Sequence, residues 1–286
     1  MPKLNKPPED DEYYRTGKEA GLIVIFNHYS YLNNSSEKRE GTNRDVNELI
    51  LTFGRLGFNI DQNHIFIDKT RGEMIDEITN LAKQDHSDKN CLIVIVLSHG
   101  HEDNHIEAFD APVFANEIWE PFFDNACPSL RGKPKFFIFQ TCKGHNVATS
   151  DESVGKIVPD IILKEQLDSD VLIAFASIES AVSLRHPTRG SWFIQELCKN
   201  FSAYGRRDDV VTLLLRVSKC VTHNYYHVDD VKDKKNVLIK QMPVIVSTLS
   251  KKFYLSKSKD RKAMINIREQ QQKLLETVTD FCSNNN

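Results

Sequence analysis

FFIFQTCKGH, residues 136 to 145, delivers four strongly apolar residues directly into Gln140, Thr141, Cys142, Lys143 and Gly144. A cysteine that only fills a core needs no such polar company, so the stretch reads as a buried strand that ends in chemistry. CLIVIVLSHG, residues 91 to 100, has the same form: an apolar run from Leu92 to Leu97 passes at once into Ser98, His99 and Gly100. Three more short apolar runs stand at Leu22 to Phe26, Val171 to Ala176 and Val244 to Val246. Strands this apolar are covered on both faces. Between them fall helical stripes: Val46, Leu49, Ile50, Phe53 and Leu56, then Met74, Ile75, Ile78 and Leu81, then Trp192 to Phe201 and Val210 to Val221. Strands and helices alternating at these lengths predict an α/β sandwich, a central mostly parallel sheet flanked by helices on both faces. In such a sheet functional residues gather at the carboxyl ends of the strands.

With 286 residues, 40% hydrophobic and 27% charged, the chain can bury one extended core as one large domain or two joined halves. Its 37 basic and 40 acidic residues create no global field that would hold phosphate backbones or an anionic bilayer, so neither nucleic acid nor membrane is an expected partner. No stretch reaches the roughly 20 apolar residues of a membrane span, and the polar start MPKLNKPPEDDEYYRTGKE contains no signal-peptide core. A cytoplasmic protein is expected. Six cysteines, at 91, 127, 142, 198, 220 and 282, are scattered without CxxC pairs. That pattern predicts reduced thiols, mostly buried, with no disulfide framework, no metal site and no cofactor.

Taken singly, His99 would more often be structural and Cys142 more often core. Together at two strand ends, which a parallel sheet can bring side by side, they are a nucleophile with its base. A competing pattern overlaps the histidine. SHGHEDNH nearly spells the H-x-H-x-D-H motif of metallo-β-lactamase-like hydrolases, with His99, His101 and Asp103 in place. The last histidine falls at 105, where Asn104 holds the required position, and a one-residue displacement in a tight loop redirects a zinc ligand. A solvated loop is the plainer expectation for His101, Glu102, Asp103 and His105.

At these residues the chain resembles the caspases in their short-prodomain effector form. Gln140-Thr141-Cys142-Lys143-Gly144 matches the family's cysteine signature at Gln, Cys and Gly, with Thr where Ala is usual and Lys where Arg, Gln or Gly is found. LSHG at 97 to 100, LRGKPKFFIFQ at 130 to 140, KREGT at 38 to 42, RGSWFIQELC at 189 to 198 and QMPVIVSTL at 241 to 249 match in the same order. The likeness runs from about residue 12 to residue 255.

The resemblance implies a caspase-like sandwich. It also implies that Cys142 attacks the peptide carbonyl of an aspartate so that the chain is cut after it, that His99 is the general acid and base, and that the backbone N–H groups of Cys142 and Gly100 hold the oxyanion. By the same likeness Arg39, Gln140 and Arg185 form a cationic pocket for the substrate aspartate, and Ser183 and Arg185 belong to a segment that pairs with the extended substrate. Singly, each arginine would be an exposed loop charge. Trp192 is retained beside this segment, which reads Val182, Leu184, His186 where effector relatives carry Tyr, Trp, Asn. The organisation expected is a short leader (1–15), a large subunit (16–145), a linker (146–165), a small subunit (166–255) and a C-terminal helical extension (256–286). Cleavage of a zymogen is expected at Asp160 or Asp151 in the linker, with Asp168 and Asp170 set too close to the next strand. The resemblance further implies an apoptosis-type executioner, protein substrates, a homodimer joined through Val244 to Val246, an upstream activating peptidase and inhibitor proteins. A second class shares the fold: a caspase-like regulator that binds a sister chain without cutting it.

Overall fold

The computed structural model describes residues 13–14, 18–32, 38–100, 104–141, 168–177, 185–186, 188–225, 227–229, 237–239 and 241–255. In chain order its strands and helices are β1 (Leu22–Asn27), α1 (Thr42–Arg55), β2 (Ile65–Ile67), α2 (Arg71–Ala82), β3 (Leu92–Leu97), β4 (His105–Glu107), β5 (Pro112–Phe114), α3 (Ala115–Trp119) and β6 (Lys135–Gln140). There follow β7 (Val171–Phe175), β8 (Arg185–His186), β9 (Gly190–Ser191), α4 (Trp192–Tyr204), α5 (Val210–Asn224), β10 (His227–Asp229), β11 (Val237–Ile239) and β12 (Val244–Ser247).

Six strands form one sheet in the order β12-β7-β6-β3-β1-β2. Every pairing in it is parallel except that of β12 with β7. The expectation of a mostly parallel sheet holds, with the antiparallel strand placed at the edge.

Alternation along each strand explains why the runs are apolar throughout. Ile23, Ile25, Ile93, Ile95, Leu97, Phe136, Ile138, Leu172 and Ala174 face a layer of α1, α4 and α5. Val24, Phe26, Val94, Val96, Phe137, Phe139, Ile173 and Phe175 face the other layer, made of α2 and α3. Each large side chain buried in this way contributes roughly 1.5–3 kcal/mol. Truncating a central one such as Phe136, fully buried, would cost about 3–5 kcal/mol because the cavity adds to the lost transfer energy.

The helix starts agree with their sequences. Thr70 and Glu73 make a reciprocal capping box at α2, and Asp209 caps α5 through Val211 and Thr212 N–H. The start of α1 differs: Gly41, at φ 85°, turns the chain into the helix without a side-chain cap. At the opposite end of the sheet, Tyr14 donates to Asp170 Oδ1 at 2.7 Å and Ser250 Oγ does so at 2.8 Å. Asp168 Oδ2 accepts the Asp124 N–H. These two aspartates are built into the body. Among the described residues no helix is long and apolar enough to cross a membrane.

Candidate active site

The rim is set by strand register. β3 and β6 lie side by side with Leu97 opposite Gln140, and Ser98 N–H continues the pairing by donating to Gln140 C=O at 3.2 Å. His99 therefore leaves one strand end beside Gln140 and Thr141 at the end of the next. Both of these are buried. Cys142, one residue further on, lies outside the described residues, as do Ser183, Asp151 and Asp160, the loop residues His101, Glu102 and Asp103, the linker 146–165 and the extension 256–286.

His99 is half-buried and held from three sides. Its N–H donates to the Tyr31 hydroxyl at 3.0 Å, and the Tyr31 ring lies 5.2 Å from the imidazole, centre to centre. On the far side of the loop, Glu107 N–H donates to His99 C=O at 3.0 Å, while Gly100 bridges to Ile106. The Tyr31 hydroxyl also meets Ser98 Oγ at 3.0 Å, and Ser98 Oγ donates to Glu107 C=O. Burial raises the Tyr31 pKa, so the phenol keeps its proton. Sequence reasoning missed Tyr31. It sits in a polar loop after β1 with no periodicity to mark it.

Arg39 is 1% exposed. Its Nη1 donates to His28 C=O at 3.1 Å and to Thr42 Oγ1 at 2.8 Å. Thr42 passes its own proton to Asn27 Oδ1 at 2.6 Å. His28 N–H pairs with Leu97 C=O at 2.9 Å, so the arginine is moored to the rim that carries His99. The exposed loop charge expected of Arg39 on its own is thus replaced by a deeply buried cation. The same burial, aided by the Arg39 charge, lowers the His28 pKa to about 3, and neither ring nitrogen has a hydrogen-bond partner among the described residues.

The remaining residues come from the small-subunit side. Arg185 and His186 form β8, which pairs antiparallel with β9 through Arg185↔Ser191 and His186↔Gly190. Trp192 opens α4, half-buried, its ring 5.0 Å from that of Tyr225. Asp45 on α1 ties this hairpin down by accepting from Ser191 N–H at 2.8 Å and Ser191 O–H at 2.5 Å. Sequence reasoning missed Asp45 as well, because a polar residue in a first helical turn has an ordinary capping explanation.

The described thiols belong to the packed body. Cys91, Cys127 and Cys198 are buried, and Cys220 is partly so; all four are free. Burial pushes the Cys91 and Cys198 pKa values well above the ordinary thiol range, which makes them inert core atoms. His105, the misplaced histidine of the zinc motif, lies in β4 with its ring 4.2 Å from Phe114. Among the described residues no three His, Cys, Asp or Glu side chains cluster to hold a metal.

A caspase domain model matches residues 20–254. The chain belongs to the caspase family. It is 35% identical over 219 residues to caspase drICE of Drosophila melanogaster, covering 75% of this chain and 63% of that protein. It is 33% identical to caspase-1 of Spodoptera frugiperda, covering 86% of this chain and 81% of the relative. The crystal structure of the latter superposes with a TM-score of 0.75 at 31% identity, over 89% of this chain and 97% of that one. This caspase is therefore of the cysteine-peptidase type with a caspase α/β sandwich, and the metallo-β-lactamase-like alternative is left without support.

Proposed function

We propose that this caspase is an aspartate-directed cysteine endopeptidase, made as a zymogen and activated by cleavage of its linker, which carries out apoptosis-type proteolysis in the cytoplasm. One observation carries the proposal: β3 and β6 are neighbours in register, so the chain leaving Gln140 toward Cys142 starts beside His99. In this mechanism the Cys142 thiolate attacks the carbonyl carbon of the substrate aspartate, and the electron pair moves onto oxygen, where the N–H groups of Cys142 and Gly100 receive it. Losing one such donor typically costs about 3 kcal/mol in the transition state. His99 protonates the leaving amine, then takes a proton from the water that releases the acyl group.

Specificity is assigned to Arg39, Gln140 and Arg185, with Ser183, Arg185 and Trp192 lining the groove for an extended substrate. The buried, pre-oriented Arg39 supports this assignment, since a guanidinium with its fork already fixed loses little entropy on meeting a carboxylate. A regulator that binds a sister caspase without cutting has no need to retain Cys142, His99, Arg39, Gln140 and Arg185 together, which favours the enzyme. Homodimerisation through β12 and encounters with an activating peptidase and inhibitor proteins follow by family.

The test is turnover of a peptide library bearing aspartate before the cut, with mass spectrometry of the mature protein. Cys142→Ala should fold and lose essentially all activity, and Asp160→Ala or Asp151→Ala should block linker cleavage. Unchanged turnover by Cys142→Ala would end the thiol-peptidase proposal; normal maturation of both aspartate variants would move the cleavage site elsewhere.

A further inference from the structure

Two of the residues assigned to the aspartate pocket ride on segments held by a single turn of α1. Thr42 and Asp45, three positions apart, occupy neighbouring places on one helix face. Thr42 Oγ1 takes a hydrogen bond from Arg39 Nη1 at 2.8 Å. Asp45, 1% exposed, uses one carboxylate oxygen for Ser191 N–H at 2.8 Å and the other for Ser191 O–H at 2.5 Å. Ser191 is the ladder partner of Arg185.

The hairpin is shaped for this contact. Gly190 has φ 86°, and a β-carbon there would collide with Asp45 Oδ1, so only glycine lets the strand lie so close to the carboxylate. A ladder of two residue pairs has little stability of its own. Its further described tie is Gln195 Nε2 to Gly190 C=O at 2.8 Å, which comes from α4 itself and cannot fix the hairpin against α1.

We propose that Asp45 is a positioning residue for specificity: it anchors the β8–β9 hairpin to the first turn of α1 and so fixes the spacing between the backbones that carry Arg185 and Arg39. This rests on the aspartate-pocket proposal above. Charge-assisted hydrogen bonds from a buried carboxylate are strong and directional, and two arginines can share one substrate carboxylate only while their forks stay within about half an ångström of the required geometry. The described side-chain bonds of Asp45 run to Ser191 in the hairpin. Its loss should fall on aspartate recognition and spare the reactivity of Cys142.

The experiment compares kcat and KM for a matched pair of peptides, aspartate or asparagine before the cut, in the wild type, Asp45→Asn and Ser191→Ala. Asp45→Asn turns one of the two acceptors into a donor facing Ser191, and should lower the aspartate-over-asparagine ratio at least tenfold, mainly by raising KM for the aspartate peptide. Ser191→Ala keeps the N–H bond and should lower the ratio about threefold, which supplies the answer if Asp45→Asn does not fold. Iodoacetamide labelling of Cys142, followed by mass spectrometry of its tryptic peptide, should keep its rate within twofold. A merely structural role would reduce the active fraction, lower kcat for both peptides equally and leave the ratio alone; that result would overturn the inference while sparing the pocket. A wild-type ratio near one would overturn the pocket proposal and this inference with it.

Discussion

Replacing Tyr31 by Phe removes one oxygen and leaves the ring, which isolates the part of the His99 support that depends on the hydroxyl. That hydroxyl accepts from His99 N–H at 3.0 Å and stands 3.0 Å from Ser98 Oγ. Because Ser98 gives its proton to Glu107 C=O, the Tyr31 proton must go to Ser98 Oγ, and the order of donation runs from Tyr31 through Ser98 to the β4 backbone. In the Phe variant Ser98 keeps Glu107, but His99 N–H loses its acceptor. A hydrogen bond is worth about 0.5–1.5 kcal/mol net, and an orphaned donor costs about 1–3 kcal/mol; partial access to water at this loop puts the loss near 1–2 kcal/mol. For a domain of this size that is a melting temperature lower by about 2–8 °C. The loosened His99 backbone should also lower kcat roughly 3- to 10-fold with KM nearly unchanged, since small misplacements of a catalytic group are amplified in the rate. Tyr31→Ala removes the ring as well and should cost about 3–5 kcal/mol. Differential scanning calorimetry and steady-state kinetics on the three proteins decide the matter. Tyr31→Phe melting within about 1 °C of wild type with unchanged kcat would refute the account of His99 support.

Two further predictions concern stability and assembly. His28 is buried neutral, with its pKa lowered to about 3, so the unfolded chain binds a proton that the native state refuses. Stability should therefore be complete above about pH 6.5 and decline as pH falls from there toward 3, by about 2 kcal/mol between pH 7 and pH 5; urea titrations should show this share of the pH dependence missing in His28→Asn, and an identical slope in both proteins would refute it. β12 pairs with β7 along one edge only among the described strands, and Val244 and Ile245 are half-buried. Sedimentation velocity of the processed protein at micromolar concentration should give a dimer, since an open apolar edge is otherwise an aggregation hazard, and a strict monomer would count against pairing at β12.

The fold was legible because both layers write themselves into the same strands. Leu92 to Leu97 and Lys135 to Gln140 are buried at every position, so the runs announce themselves without alternation, and the stripes of α1, α2, α4 and α5 complete the pattern. The elements that escaped were short or local. β2 has three residues and its periodicity cannot be told from a turn. The β4–β5 hairpin was likewise hidden inside a stretch that read as a solvated loop. At the rim, the strand-end places of His99 and Gly100 could be read from the apolar run before them, whereas the pocket role proposed for Gln140 came from the family likeness. Arg39 needed the family likeness, because a charge in SEKREGT carries no sign of the burial imposed by His28 and Thr42. Tyr31 and Asp45 were invisible for a physical reason: their partners, His99 and Ser191, are 68 and 146 positions away, and only the packed fold brings them together.

The central claim is that a carboxylate held by Arg39, Gln140 and Arg185 directs the cut. In that proposal, exchanging the substrate aspartate for asparagine leaves Arg39 and Arg185 without the carboxylate they share, a loss of about 2–5 kcal/mol, or roughly 30- to several-thousand-fold in rate. The most direct measurement is kcat/KM of the mature enzyme for two peptides that differ only at that residue, repeated with Arg185→Ala. The account predicts that asparagine lowers kcat/KM by at least about two orders of magnitude and that Arg185→Ala erases most of the difference. Cleavage of both peptides by the wild type within about threefold of each other would contradict it, even with Cys142 proven as the nucleophile.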